Sequence, residues 1–351
     1  MRSFWAGRRV LVTGHTGFKG GWLCLWLERL GARVSAFALP ADTAPALSDL
    51  FDLDAHGECA IVDLKDAEDV TRFVTRIRPE IVLHLGAQAL VRRSYDAPVE
   101  TFATNIMGTV HLFSALRACD SVKAVVVVTT DKVYENRGEG HPFAENDRLG
   151  GADPYSASKA CAEIISRSFK ASFFAQGSPA LATARAGNVV GGGDWSQDRL
   201  VPDFVRALAN GQPVQLRYPN AVRPWQHVLE PLAGYLALAQ GLVERPAAMP
   251  DAVNFGPDPV SFAPVHRIAE ALGGAFGLET AWRAAPGPHP PEATLLTLRS
   301  DLAEASLGWR PRLSLQATLD WTADWYRAHR ANKNMRDFSM EQIARYEELL
   351  S

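Results

Sequence analysis

Five short apolar runs punctuate the first 130 residues of this 351-residue chain: "RVLVTG" from Arg9, "ARVSAFAL" from Ala32, "CAIVDL" from Cys59, "EIVLHLGA" from Glu80 and "AVVVVTT" from Ala124. Their apolarity is continuous rather than alternating, as expected of strands buried on both faces. Helix-patterned stretches separate them. Trp22, Leu23, Trp26, Leu27 and Leu30 recur at helical spacing with Gly31 placed to end the helix, and Val99–Arg117 reads as another helix. Strand and helix in alternation call for an α/β fold, a doubly wound parallel sheet covered on both faces. Past about residue 190 the rhythm changes. Gly and Pro become frequent ("GGGDW", "APGPHPPEA"), marking a smaller, loop-rich region after the sheet-forming half.

The turn after the first strand carries Gly14, Gly17 and Gly20 in "VTGHTGFKG". Glycines between a buried strand and a helix let backbone amides approach a pyrophosphate at the helix N-terminus. That makes Gly14, Thr16, Gly17, Phe18, Lys19 and Gly20 candidate cofactor contacts. The second strand ends "AFALPADT", with Leu39 and Pro40 where a carboxylate would hold a ribose and Asp42 displaced beyond them. No arginine follows the strand to take a 2′-phosphate, so NAD is expected rather than NADP. Asp63 and Leu64 are placed to contact an adenine; Asp63 is equally placed to cap the next helix. In "LGAQ", Leu85, Ala87 and Gln88 end the fourth strand, where the backbone can pass close to a cofactor.

The fifth strand ends "AVVVVTTDKVY", so Thr129, Thr130, Asp131 and Lys132 follow a buried run directly. Downstream, "DPYSASKACAE" places Tyr155 and Lys159 four apart, on one face of a helix that starts near Asp153–Pro154. A lysine beside a phenol lowers its pKa, which suits proton exchange with a substrate hydroxyl near neutral pH.

The glycine loop, the Thr-ended strand and the Tyr/Lys pair together resemble the extended short-chain dehydrogenase/reductase family, which epimerises, dehydrates or oxidises nucleotide sugars. The resemblance spans nearly the whole chain. It implies a Rossmann-type fold: an NAD-binding domain over 1–188 with later returns near 221–254, and a mainly nucleotide-sugar-binding region over 189–351. "TTDKVYEN", "GGADPYSASKACAE", "RAGNVVGGGDWSQDRLVPD" and "RPWQHVLEPLAGYLAL" are similar to those members that are 4,6-dehydratases acting on CDP-glucose. Their dTDP-glucose relatives are expected to carry Asp–Glu in place of Asp131–Lys132.

The resemblance assigns roles to these residues. Tyr155 takes the C4 hydroxyl proton, with Thr130 on the same oxygen and Lys159 behind it. Asp131 is the acid for the departing C6 oxygen and Lys132 the base at C5, which requires a neutral amine. Thr129, Tyr155 and Lys159 also border NAD. Asn188, Arg199, Arg217, Arg223, Asn254, His289 and Glu292 are implied on the substrate side, the arginines matching phosphate oxygens. "LTLRSDLAEASLGW" departs from the family pattern, with Arg299 for an expected Asp and Leu302 for a Lys. Alternative readings are another nucleotide-sugar dehydratase, a 4-epimerase, or a non-catalytic NAD-binding regulator.

A net charge of −3 gives no basic surface for nucleic acid. The four cysteines lack metal or disulfide spacing, and neither a secretory leader nor a membrane span is discernible. A cytoplasmic homodimer is expected. It would pair through the helix before "AVVVV" and the helix carrying Tyr155. Ala162, Ile165 and Phe169 are placed either to line that seam or to face the sheet.

Overall fold

The computed structural model describes residues 1–350 apart from 139, 175–178 and 290–292. Seven parallel strands form the central sheet: β1 (Arg9–Thr13), β2 (Arg33–Ala38), β3 (Glu58–Ile61), β4 (Ile81–His84), β5 (Ala124–Val128), β6 (Ala180–Ala186) and β7 (Ala252–Phe255). Their order is β3-β2-β1-β4-β5-β6-β7. The pairings Val10↔Val34 and Val10↔Ile81 put β2 and β4 on either side of β1. The direction of winding therefore reverses between β1 and β4, and a crevice opens at the carboxyl ends of those two strands.

The continuous apolar runs are explained by two cores. Along β1, Val10 and Val12 enter the larger core while Leu11 enters the other; along β5, Val126 and Val128 oppose Val125 and Val127 in the same way. The larger core includes Trp22, Leu23, Trp26 and Leu27 of α1 (Phe18–Arg29). The second includes Phe73, Val74, Leu112, Phe113 and Leu116. Ile165 and Phe169 of α2 (Pro154–Phe173) pack against this second core and Ala162 is buried, so all three turn inward rather than toward a subunit seam. Exposed instead are Ile164 and Phe173 on α2, with Val99, Phe102 and Met107 on the neighbouring segment.

That neighbouring segment is not the regular Val99–Arg117 helix its pattern predicts. It runs as Pro98–Phe102, a π-helical turn at Ala103–Met107, and then Gly108–Arg117. A π turn holds one more residue than an α turn. Here the turn carries Asn105, whose buried side chain accepts from the Gln88 amide at 2.8 Å and donates to the Gln88 carbonyl and the Ser158 hydroxyl. Tertiary hydrogen bonds have overridden local periodicity.

The second half folds back over the first. α3 (Leu229–Glu244) lies against β5 and β6, and the two-stranded pairings Val189–Val190 with Gln226–His227 and Val222–Pro224 with Phe262–Pro264 wall the crevice. Among the described residues no helix is long and apolar enough to cross a membrane.

Candidate active site

A cavity of about 1060 Å³ opens at the β1/β4 reversal. That is at the top of the usual range for one small ligand, leaving room for two bound side by side. Its floor is backbone packed on backbone. Gly14 has φ +83°, and a Cβ there would lie 2.8 Å from Gly86 Cα. A Cβ on Gly20 would lie 2.0 Å from the Gly14 carbonyl oxygen. Gly17, Phe18, Lys19 and Gly20 line the cavity, and no side chain caps the N-terminus of α1. Its first amides, with the positive end of the helix dipole, face open space.

The sequence-derived cofactor residues converge on this region. Thr16 donates to the Leu39 carbonyl at 3.0 Å, tying the loop to the end of β2. Asp63, Leu64, Leu85, Ala87, Gln88 and Thr129 line the same cavity. Asp63 is not the helix cap: Asp66 is, accepting from the amides of Glu68 and Asp69, while Asp63 accepts from Lys65. Asp42 also lines the cavity and faces Arg93 at 3.6 Å, an arginine delivered by a segment remote in sequence.

Past β5 the chain makes a tight 3₁₀ turn, Asp131–Val133, capped by Thr130 through the Lys132 amide. Thr130 also donates to Asp131 Oδ1 at 3.0 Å. Asp131 is buried, with Oδ2 unpartnered, and burial raises its carboxyl pKa against the opposing pull of Lys132, Thr130 and Arg223. Lys132 is half-buried and lines the cavity beside it.

Tyr155 and Lys159 come from α2, which begins at Pro154 and is capped by Asp153 on the Ser156 amide. Burial pushes the Tyr155 phenol up to about 12, opposed by Thr130 and the Arg199 guanidinium. The spacing predicts Lys159 as the group lowering that phenol. Here its ammonium instead donates to the Val128 carbonyl at 3.0 Å, and burial lowers it to about 8 against the pull of Glu163. Lys19 is lowered to about 7, first by burial and then by Lys159 and Arg199. Lys19, Lys159 and Arg199 thus put cationic groups around the buried Asp131 carboxyl.

The substrate-side expectations divide. Asn188, Arg199, Arg217 and Arg223 all line the cavity. Arg199 pairs with Asp194 at 3.0 Å and Arg217 with Asp198 at 3.1 Å. Arg223 is buried and donates to the Val222 carbonyl. Asn254 does not join them. It is fully buried, accepting from the Tyr134 hydroxyl at 2.6 Å and donating to the Phe143 carbonyl and Glu145. Its place on β7, one strand beyond β6, puts it behind the site. His289 lines a smaller adjoining pocket that shares Arg92 and Arg217 with the main cavity. Glu292 lies outside the described residues. Arg299 pairs with Asp301 on the surface, away from the cavity lining.

Sequence reasoning missed Glu163 and Arg185. Both are buried and joined by a bidentate ion pair behind Thr129. The available signal was the fixed spacing of Glu163, one helical turn past Lys159.

The sequence profile of the NAD dependent epimerase/dehydratase family matches residues 10–256. The chain is 44% identical over 350 residues to the CDP-glucose 4,6-dehydratase of Salmonella typhimurium, with 98% of each chain covered. It is 32% identical to a dTDP-glucose 4,6-dehydratase of Xanthomonas campestris pv. campestris over 62% of this chain and 64% of that one. Among solved structures, the UDP-glucose 4-epimerase of Thermus thermophilus in complex with NAD matches with a TM-score of 0.78 and 27% identity, covering 91% of this chain and 99% of that one. A dTDP-glucose 4,6-dehydratase from Streptomyces venezuelae with NAD bound matches in fold, with a TM-score of 0.80 at 23% identity over 93% and 98% of the two chains.

Proposed function

The chain belongs to the NAD dependent epimerase/dehydratase family, and from that premise we propose that it is a CDP-glucose 4,6-dehydratase. It is a lyase that converts CDP-D-glucose to CDP-4-keto-6-deoxy-D-glucose and water, with no net redox change. The observation that carries this reading is the buried carboxyl of Asp131, its Oδ2 without a partner, beside Lys132 on the same cavity as Tyr155 and Lys159. A 4-epimerase needs the tyrosine and lysine but no second acid and base.

The glycine loop fits NAD, because the Gly14–Gly20 contact leaves no room for a side chain and bares the amides of α1 to the cavity. Gly14, Thr16, Gly17, Phe18, Lys19 and Gly20 would hold its pyrophosphate, Asp63 and Leu64 its adenine, and Leu85, Ala87, Gln88, Thr129, Tyr155 and Lys159 the remainder. Bound NAD supplies the hydride acceptor for C4 and the hydride donor for C6. Tyr155, reacting as the phenolate, takes the C4 hydroxyl proton on Oη, with the Thr130 hydroxyl on the same oxygen. Arg199 opposes the effect of burial and offsets the phenolate charge that this requires, with Lys159 and Lys19 lining the same cavity. Once C4 is a ketone the C5 hydrogen is acidic; Lys132 Nζ removes it as a proton and returns a proton to C5 when C6 is reduced. Asp131, whose carboxyl burial pushes toward the protonated form, gives its proton to the departing C6 hydroxyl. Arg217, Arg223 and Asn188 bind the nucleotide diphosphate.

Incubation with CDP-, dTDP-, UDP- and GDP-glucose, read by chromatography and mass, tests the reading. A product lighter by one water from CDP-glucose alone supports it. An isomer of unchanged mass would make the chain an epimerase, and preference for another nucleotide would overturn the CDP assignment.

A homodimer is part of the same proposal. Val99, Phe102, Met107, Ile164 and Phe173 are exposed apolar side chains on two adjacent helical segments, a face suited to a second copy of itself. A monomer mass by light scattering would refute it. With Cys24, Cys59, Cys119 and Cys161 all unpaired, the proposed setting is the cytoplasm.

A further inference from the structure

The segment proposed to supply the acid and base, Asp131–Val133, is a single 3₁₀ turn capped by Thr130, between the end of β5 and Tyr134. The hydrogen bonds inside a 3₁₀ turn have poor geometry, so flanking contacts matter to where it stands. Both ends here meet one buried ion pair. Before the turn, the Thr129 hydroxyl donates to Glu163 Oε1 at 2.5 Å. After it, the Tyr134 hydroxyl accepts from Arg185 Nη1 at 2.8 Å and donates to Asn254. Glu163 and Arg185 are themselves joined twice, Nε to Oε1 at 2.9 Å and Nη2 to Oε2 at 2.8 Å. Thr183 adds a further bond to Oε2 at 2.6 Å. Neither ion lines the cavity, and both are 2% exposed or less.

We infer that Glu163 and Arg185 are positioning residues of the dehydration steps: one rigid ion pair clamps the turn before Thr130 and after Val133, fixing where Asp131 and Lys132 stand. Burying two charges carries a large desolvation penalty, which a pair held only for stability seldom repays against apolar packing. A fixed fork that sets geometry at two points gives the pair a purpose. The clamp acts on the turn carrying Asp131 and Lys132. Tyr155 stands on α2 with its own cap, so oxidation at C4 depends on it less than elimination does.

This inference rests on the dehydratase reading, and its test separates the two. Removing either ion strands the other in the core, so the informative variants are Thr129→Val and Tyr134→Phe, which each delete one hydroxyl, with Thr129→Ser as the conservative control. Misplacing a reacting group by a fraction of an ångström lowers the rate by roughly 10-fold or more. Each of the two variants is therefore expected to lose about 10-fold in kcat with little change in KM. Reduced nicotinamide should accumulate in its absorbance during turnover, and Thr129→Ser should restore the rate. Amide hydrogen exchange over residues 129–134 should quicken in both variants, a readout that needs no turnover. A lower melting temperature with unchanged kcat and unchanged exchange in that segment would overturn the inference. If the parent converts no sugar nucleotide, the dehydratase reading fails and the exchange result alone decides whether the clamp exists.

Discussion

Replacing Gly20 by alanine tests the cofactor floor at its tightest point. The added Cβ would stand 2.0 Å from the Gly14 carbonyl oxygen and 2.7 Å from its carbonyl carbon, whereas ordinary contact begins near 3.4 Å. The loop and α1 must therefore separate by about 1.4 Å, since backbone cannot rotate away. Overpacking of this kind costs about 1–3 kcal/mol of stability, which a domain of this size tolerates. Binding suffers more. Amides displaced that far lose good geometry toward a pyrophosphate, and each charge-assisted bond is worth about 1.5–3 kcal/mol. Losing two removes at least about 3 kcal/mol, or roughly 100-fold in Kd. The assay is calorimetric titration of cofactor-stripped protein with NAD, alongside a thermal melt to show that the variant is folded. Gly274→Ala, where a Cβ meets nothing within 4 Å, is the control. NAD binding by Gly20→Ala within threefold of the parent would refute the argument that this contact builds the site.

Lys132→Met should still reduce bound NAD on mixing with CDP-glucose, yet release almost no dehydrated product in a mass assay; full turnover would remove Lys132 from the reaction. Lys19→Met should stabilise the cofactor-free protein in a pH-dependent way. The folded pKa of Lys19 is about 7 against an ordinary 10.5, so between those values the unfolded chain binds the extra proton and parent stability rises with pH. The gain in melting temperature should thus be greatest at and below about pH 7 and vanish near pH 10.5; a pH-independent gain would mean that the ammonium is not desolvated. Asn254→Ala should lower stability by about 1–3 kcal/mol through orphaned buried partners while leaving the KM for CDP-glucose unchanged in steady-state kinetics, and a raised KM would return Asn254 to the substrate.

What the sequence made legible is what is local. The glycine loop, the end of β5 and the Tyr155–Lys159 spacing each lie within a dozen residues, and each stands in the cavity. Asn254 was misplaced because its neighbours, Tyr134, Phe143 and Glu145, are over a hundred residues away and reach it only through the strand order. Arg93 against Asp42 escaped for the same reason, since no reading of β2 can show which distant arginine closes on it. The apolar face of α2 was ambiguous rather than silent. Ile164 and Ile165 are adjacent, yet one is exposed and the other packs inward, and periodicity cannot rank two apolar faces without knowing what each meets.

The π-helical turn at Ala103–Met107 carries a consequence for how this chain can change. An α-helical residue advances the helix by about 100°, so one surplus residue resets the clock of everything before it. Trimming that residue would swing Val99 and Phe102 around the axis and away from the patch they form with Ile164 and Phe173. The same deletion would withdraw Asn105 from Gln88 at the end of β4. The exposed apolar patch and the cofactor shelf are thereby geared to a single irregularity, and a lineage cannot lose one by this route while keeping the other.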